Sequence, residues 1–258
     1  MTVNRFRDGE FAEVNKVGNP LEDASVNVRR EDEWQEIWPS VDIPDSVVRH
    51  YDATNDSRDT GTKTSIPDQK GNVDLVNGTQ VTLVDNGING LRSYQLDGLD
   101  DYLVYDGVSV STPWTLFAVI QRDSSSRGEL FDRGGGGIAQ NNGGMTTEDS
   151  DRVLARDGGE SEFDLEVPNP DLANQTVLIV YEITGSDGRL RVWDPDLDMD
   201  SGSGDGTNFG NETVDFFRDR RDQRYLDGYV GEIAIANSDF GSELETFEDE
   251  LLDKWGIN

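Results

Sequence analysis

The chain has no cysteine and one histidine among its 258 residues. The first absence excludes disulfides, thiol catalysis and thiolate metal sites. The second excludes any site built on two imidazoles and argues against a Ser-His-Asp triad. Basic residues are scarce: 22 Lys plus Arg face 53 Asp plus Glu, a formal net charge of −31. A nucleic-acid backbone needs a basic surface, so no nucleic-acid partner is expected. No apolar run approaches the roughly 18 residues of a membrane span, so no membrane insertion is expected. The opening Met1-Thr2-Val3-Asn4-Arg5-Phe6 carries no signal-peptide core.

What the chain does have is carboxylate, spread along its whole length rather than gathered in a tail. Spread acidity reads as adaptation to high salt, where carboxylates hold hydration and self-repulsion is screened. The lone His50 falls in Val47-Val48-Arg49-His50-Tyr51, the setting of a partly buried strand histidine rather than a catalyst.

Residues 1–45 differ from the rest: short apolar pieces are separated by Gly18-Asn19-Pro20 and by charges, too sparse for a core of their own. Trp34, Ile37 and Trp38 are expected on one side of a short helical turn ended by Pro39. Two tryptophans on so small an element need a surface to bury against, either the chain's own second domain or a partner. The segment is therefore read as an attachment or oligomerisation arm, and residues 46–258 as one domain.

From Val47 on, short strands alternate with turn signals. Pro113–Ile120 and Thr176–Ile183 are nearly continuous apolar runs, as expected for central strands covered on both faces. Asp97-Gly98 and Asp100-Asp101 read as turn formers between apolar residues. Gly134–Gly137 is a hairpin connection, since neither the lysine nor the helix of a P-loop follows it. Asp194–Gly210 is expected as a long acidic loop, and Arg218–Arg224 as a salt-bridged face. At the end, Val230, Ile233 and Ile235 with Gly231, Ala234 and Ala236 predict a strand that a neighbouring layer can approach closely. A helix follows, with Ser242 and Glu245 as a capping box and Leu244, Phe247, Leu251 and Trp255 on its packed face. Glu248 is expected in water, and Gly256 is expected to stop the helix.

These stretches carry a resemblance. Tyr51-Asp52-Ala53, then Asp68-x-x-Gly71-Asn72-x-Asp74-Leu75, then Leu96-Asp97-Gly98-x-Asp100-Asp101-Tyr102-Leu103, and finally Leu251-Leu252-x-Lys254-Trp255-Gly256-Ile257 resemble, in that order, concanavalin A-like or laminin G-like jelly rolls. The resemblance implies an all-β, two-sheet antiparallel sandwich with a C-terminal helix and an N-terminal extended arm. Trp255 is then core packing, and ligand-binding loops are expected around Asn141 and Asn142 and at Asp194, Asp196 and Asp198.

Two stretches hold candidate chemistry. Glu162-Phe163-Asp164-Leu165-Glu166 resembles the catalytic signature of β-glucanase families, in which Glu162 would be nucleophile, Asp164 its helper and Glu166 the acid/base. Pro168-Asn169-Pro170 follows at once and would truncate a central strand, so the stretch is read first as a solvated edge strand and catalysis is the alternative. Asp196, Asp198 and Asp200 offer alternating oxygens that suit calcium, although Ser201 and Thr207 depart from the EF-hand pattern.

The first reading is a non-enzymatic surface protein, resembling the virion surface proteins of haloarchaeal tailed viruses. It would form a homo-oligomer, assemble with other virion proteins and bind a host glycan or glycoprotein. A glycoside hydrolase using Glu162, Asp164 and Glu166 is the alternative, and a ligand-free capsid decoration is a third.

Overall fold

The computed structural model describes residues 2–7, 10–15, 26–30, 33–37 and, from 41 on, all except 108, 124–127, 134–143, 149–151, 158–162, 169–173, 194–196, 204–207, 210–212, 219–223 and 258. It divides into two compact units, Met1–Asp42 and Ile43–Asn258.

The first unit is an antiparallel sheet of β1 (Thr2–Arg7), β2 (Glu10–Asn15), β3 (Val26–Arg30) and β4 (Glu33–Ile37), in that spatial order. Trp34 and Ile37 thus lie in a strand, and the expected helical turn is wrong. Residues 33–37 find backbone partners in 26–30, Val26 opposite Ile37 and Arg29 opposite Trp34, and a five-residue segment gains more from that pairing than from one uncapped helical turn. Trp38 lies outside the described residues.

The second unit continues with β5 (Val47–Asp52), β6 (Gly61–Lys63), β7 (Val81–Val84), β8 (Ser93–Asp97), β9 (Leu103–Tyr105), β10 (Trp114–Arg122), β11 (Gly128–Arg133), β12 (Gly144–Glu148), β13 (Arg152–Asp157) and β14 (Phe163–Pro168). It closes with β15 (Thr176–Ile183), β16 (Asp187–Trp193), β17 (Leu197–Ser203), β18 (Val214–Phe216), β19 (Asp227–Ala236) and helix α1 (Ser242–Trp255). A nine-stranded sheet runs β17-β16-β15-β10-β19-β8-β7-β6 with β5 also on β19; a six-stranded sheet runs β14-β13-β12-β11-β18-β9. Every pairing is antiparallel, as a jelly-roll sandwich requires. The apolar runs predicted to be central become β10 and β15, paired with each other in the nine-stranded sheet.

The core lies between the sheets. Trp114 of β10 and Phe131 of β11 both meet Phe209, with ring centroids 5.4 and 5.7 Å apart, and Tyr181 packs edge-on to Trp114 at 5.3 Å. The Asp68–Leu75 motif has a structural task. Its buried Asp68 carboxylate accepts the N–H groups of His50, Lys70, Asn72 and Val73, and so ties the loop to β5.

Strand β19 contains a bulge. Val119 stands opposite Glu232 and Ile120 opposite Val230, which leaves Gly231 without a partner on β10. The extra residue lets Val230, Ile233 and Ile235 all join the inter-sheet core although the first two are three apart. Helix α1 lies against the nine-stranded sheet, with Phe247 5.1 Å from Phe117 and Trp255 over Gly231. A Cβ added at Gly231 would stand 2.5 Å from the Trp255 ring, the close approach expected of a small residue there. Leu244, Phe247, Leu251 and Trp255 are buried as their spacing predicts, and Gly256 ends the helix with φ of 63°.

Two expectations for the helix fail. The N-cap is Gly241 rather than Ser242, with no side-chain capping bond; Ser242 is already helical, its carbonyl accepting the Thr246 hydroxyl. Glu248 is buried rather than in water. Its carboxylate accepts the Trp193 indole N–H at 3.0 Å and pairs with Arg191 at 3.3 Å, partners that β16 places under the helix.

Candidate functional site

Two polar constellations stand out, one beneath the helix and one on the opposite sheet. The first gathers His50 and Asp52 of β5, Glu232 of β19 and Lys254 and Trp255 of α1, all buried. Antiparallel pairing puts Glu232 opposite Asp52, and the last turn of α1 lowers Lys254 between them. Glu232 meets His50 Nε2 at 2.6 Å, accepts Lys254 Nζ at 2.6 Å and accepts the Trp255 indole N–H at 2.9 Å. Lys254 also pairs with Asp52 at 2.9 Å, and Asp52 in turn accepts the Thr54 N–H and hydroxyl. His50 Nδ1 has no partner, which suits the tautomer whose proton sits on Nε2 and leaves Nδ1 a bare acceptor.

Burial alone would raise the Glu232 carboxyl. The His50 hydrogen bond and the Lys254 charge outweigh it and hold that carboxyl down to about 2. Burial likewise opposes the Lys254 ammonium, and the charges of Glu232 and Asp52 overcome it and raise its pKa. Both shifts favour the charged pair. A depressed acid gives stability that is present above its ordinary 4.5 and lost as pH falls toward 2; a raised base gives stability present below its ordinary 10.5 and lost above it. The difference in urea midpoint between the unaltered chain and Glu232→Gln should therefore be widest between these limits and narrow toward pH 2. A difference that stays constant down to pH 2 would contradict it. His50, Asp52 and Glu232 could by themselves converge on a metal, but the Lys254 ammonium already binds the carboxylates of Asp52 and Glu232. This centre holds the helix on the sheet, and all its residues are buried.

The second constellation lies on the outward face of the six-stranded sheet, away from the helix. Val214 and Phe216 point into the core, so Asp215 between them points out; Asp132 is its cross-strand partner. Beyond β18, Arg218 bridges Tyr225, and the Leu226 N–H donates to the Phe217 carbonyl at 2.9 Å. Arg218 pairs with Asp215 at 3.1 Å, and its guanidinium lies 3.3 Å over the centre of the Tyr102 ring. Arg224 reaches Glu129 at 3.5 Å, so both ends of the Arg218–Arg224 run form salt bridges; residues 219–223 lie outside the described residues. Asp215 and Glu129 are buried and Asp132, Arg218, Arg224 and Tyr102 half-buried, so carboxylates, guanidinium groups and an aromatic ring are packed together on one sheet.

The residues singled out by sequence fare unevenly. Glu162, Asn141, Asn142, Asp194 and Asp196 lie outside the described residues. Asp164 and Glu166 sit on β14, the edge of the six-stranded sheet; Glu166 is exposed and donates its backbone N–H to Asp200. The expected acidic loop contains a strand: Asp198, exposed, and Asp200, half-buried, belong to β17, and Asp200 also accepts the Ser201 N–H. Alternating Asp198-Met199-Asp200 suits an edge strand, where charge blunts pairing with other chains. Sequence reasoning missed Glu232, Lys254, Tyr102, Asp132 and Asp215. The available signal was weak: one glutamate inside the apolar Val230–Ala236 run.

A scan of protein-family models finds no match, and neither does a search of curated proteins. Among solved structures the chain is similar to the binding domain of Paraclostridial Mosquitocidal Protein 1, at 15% identity over 74% of this chain and 50% of that one, with a TM-score of 0.55. It is also similar to Trypanosoma rangeli sialidase in complex with sialic acid (13% identity, 98% of this chain and 45% of that one, TM-score 0.57). A third is Domain 4 of AbnA, a GH43 extracellular arabinanase from Geobacillus stearothermophilus, in complex with arabinotriose (11% identity, 78% and 97%, TM-score 0.53). The chain spans about half the length of the first. At these identities the likeness speaks to the fold, an antiparallel jelly-roll sandwich.

Proposed function

We propose that this chain is a non-enzymatic binding module whose ligand is a glycan, taken on the outward face of the six-stranded sheet. One observation carries the reading: Arg218 bridges Asp215 and the Tyr102 ring on a sheet face that no helix covers among the described residues. Sugar hydroxyls donate to carboxylates and accept from guanidinium groups, and the C–H faces of a pyranose pack on an aromatic ring. Asp215 holds Arg218 in place, half-buried Asp132 would supply acceptors and Arg218 donors, and the face of the Tyr102 ring away from Arg218 would take the sugar. The named ligands of two similar structures, sialic acid and arabinotriose, belong to the same chemical class.

Binding at one such face is weak, and display of many copies on a homo-oligomeric particle would multiply it. A virion surface in high salt is the setting proposed, supported by the spread negative charge and by an N-terminal unit distinct from the sandwich.

The test is a glycan array probed with the intact chain, repeated with Tyr102→Ala and Asp132→Asn. Each variant should lose about tenfold or more in affinity for whatever glycan is retained, since each removes one ligand contact worth about 1.4 kcal/mol or more. Retention unchanged in both variants would remove this face from consideration. Release of reducing sugar that disappears in Glu162→Gln would favour the hydrolase instead.

A further inference from the structure

We infer that the turn joining β8 to β9 holds a hard divalent cation of calcium type, ligated by Asp97, Asp100 and Asp101. One carboxylate oxygen from each of the three lies within 4.8 Å of the others, the spacing of ligands around one ion. An acidic cluster on a chain this negative would mean little alone. Asp101 makes the difference: it is only 4% exposed, its Oδ2 accepts the Asp97 N–H at 2.9 Å, and its Oδ1 has no hydrogen-bond partner. A buried carboxylate oxygen without a donor costs free energy, and a cation would satisfy it.

The contrast with the centre under the helix strengthens the case. There the converging acidic groups are buried, and the chain supplies Lys254. At the turn, no Lys or Arg pairs with Asp97, Asp100 or Asp101 among the described residues. Instead Asp227 stands directly across from Asp97 and adds a further negative charge.

The donors fit the ion. All are carboxylate oxygens, with no nitrogen or sulfur, which selects against softer metals. Asp97 and Asp100 are exposed, so water can complete the six to eight ligands calcium takes, and the unevenly shared shell suits calcium better than the strict octahedron of magnesium. Asp97 Oδ1 accepts the N–H groups of Leu99 at 2.9 Å and Asp100 at 3.3 Å, so the turn's geometry is set before any ion arrives. This site is separate from Asp196, Asp198 and Asp200, and the inference does not depend on the glycan reading.

The experiment titrates the full chain with calcium chloride by calorimetry, and follows its thermal unfolding, at one fixed high sodium chloride concentration that screens diffuse attraction. Saturable binding and a rise in Tm are expected. Asp97→Asn and Asp100→Asn should each weaken binding by about tenfold or more, because affinity follows the count of ligand charges. Asparagine keeps the acceptor oxygen that braces the turn, and Asp100 is exposed, so both variants should fold. Asp249→Asn removes the same charge from the exposed side of α1 and should leave binding unchanged. Absence of a saturable effect, an equal loss in Asp249→Asn, or tighter binding of magnesium than calcium would each overturn the assignment.

Discussion

Replacing Glu232 by alanine is expected to lower the free energy of unfolding by roughly 3–5 kcal/mol, the range for breaking a buried ion pair from one side. Three donors converge on that carboxylate: His50 Nε2, Lys254 Nζ and the Trp255 indole N–H. Alanine strands the first and third in a space water does not reach, and leaves Lys254 with Asp52 alone. Glu232→Gln keeps an acceptor oxygen and most of the volume, so it should cost less, about 1–3 kcal/mol. Lys254→Met should be as damaging as the alanine variant, since it leaves Asp52 and Glu232 facing each other without a cation. Glu232→Gln combined with Lys254→Met should cost less than the two singles added together, because the second change removes a partner already compromised. Urea unfolding of the four variants checks this. Additive losses would show that the groups do not act as a unit.

The second large effect is steric. Gly231→Ala places its Cβ 2.5 Å from the Trp255 ring, closer than any relaxed carbon contact. The ring has nowhere to go: it is fully buried, and its N–H is held by Glu232. Either the helix lifts or the bulge in β19 deforms, at a cost of about 3 kcal/mol or more, the upper end for overpacking a core. Gly185→Ala, where nothing stands within 4 Å, should change stability by less than about 0.5 kcal/mol. Trp255→Phe added to Gly231→Ala should recover part of the loss, because the smaller ring vacates the contested volume. A thermal shift for Gly231→Ala no greater than for Gly185→Ala would mean that the layers are not in contact at this point.

Much of the sandwich is legible in the sequence. The unbroken apolar runs of β10 and β15 have room only in a sheet covered on both sides, and Asp97-Gly98 announces its turn through a glycine that takes φ of +70°. The packed face of α1 follows from Leu244, Phe247, Leu251 and Trp255 alone. What stayed hidden depends on partners far along the chain. Glu248 and Lys254 look like solvent residues on any helical wheel, and only the positions of Arg191, Glu232 and Asp52 bury them. Trp34 and Ile37 have helical spacing, and the choice of strand is made by Val26–Arg30 beside them. The outward face is the extreme case. Tyr102, Asp132 and the Asp215–Arg218 pair come from three separate stretches brought together by the sheet, and no local pattern marks them as a group.

Strand β5 bears on how the protein is made. Among the described residues it pairs only with β19, and His50 finds Glu232 across 182 positions of chain. At a synthesis rate of about 5–20 residues per second, that interval lasts roughly ten to forty seconds. Through all of it a hydrophobic strand edge leaves the ribosome without its neighbour, and Asp52 without its lysine. Sandwich closure must therefore wait until β19 has been made, and contacts this distant in sequence make it slow even then. A nascent chain stalled before residue 227 would be a substrate for chaperones rather than a half-built sandwich.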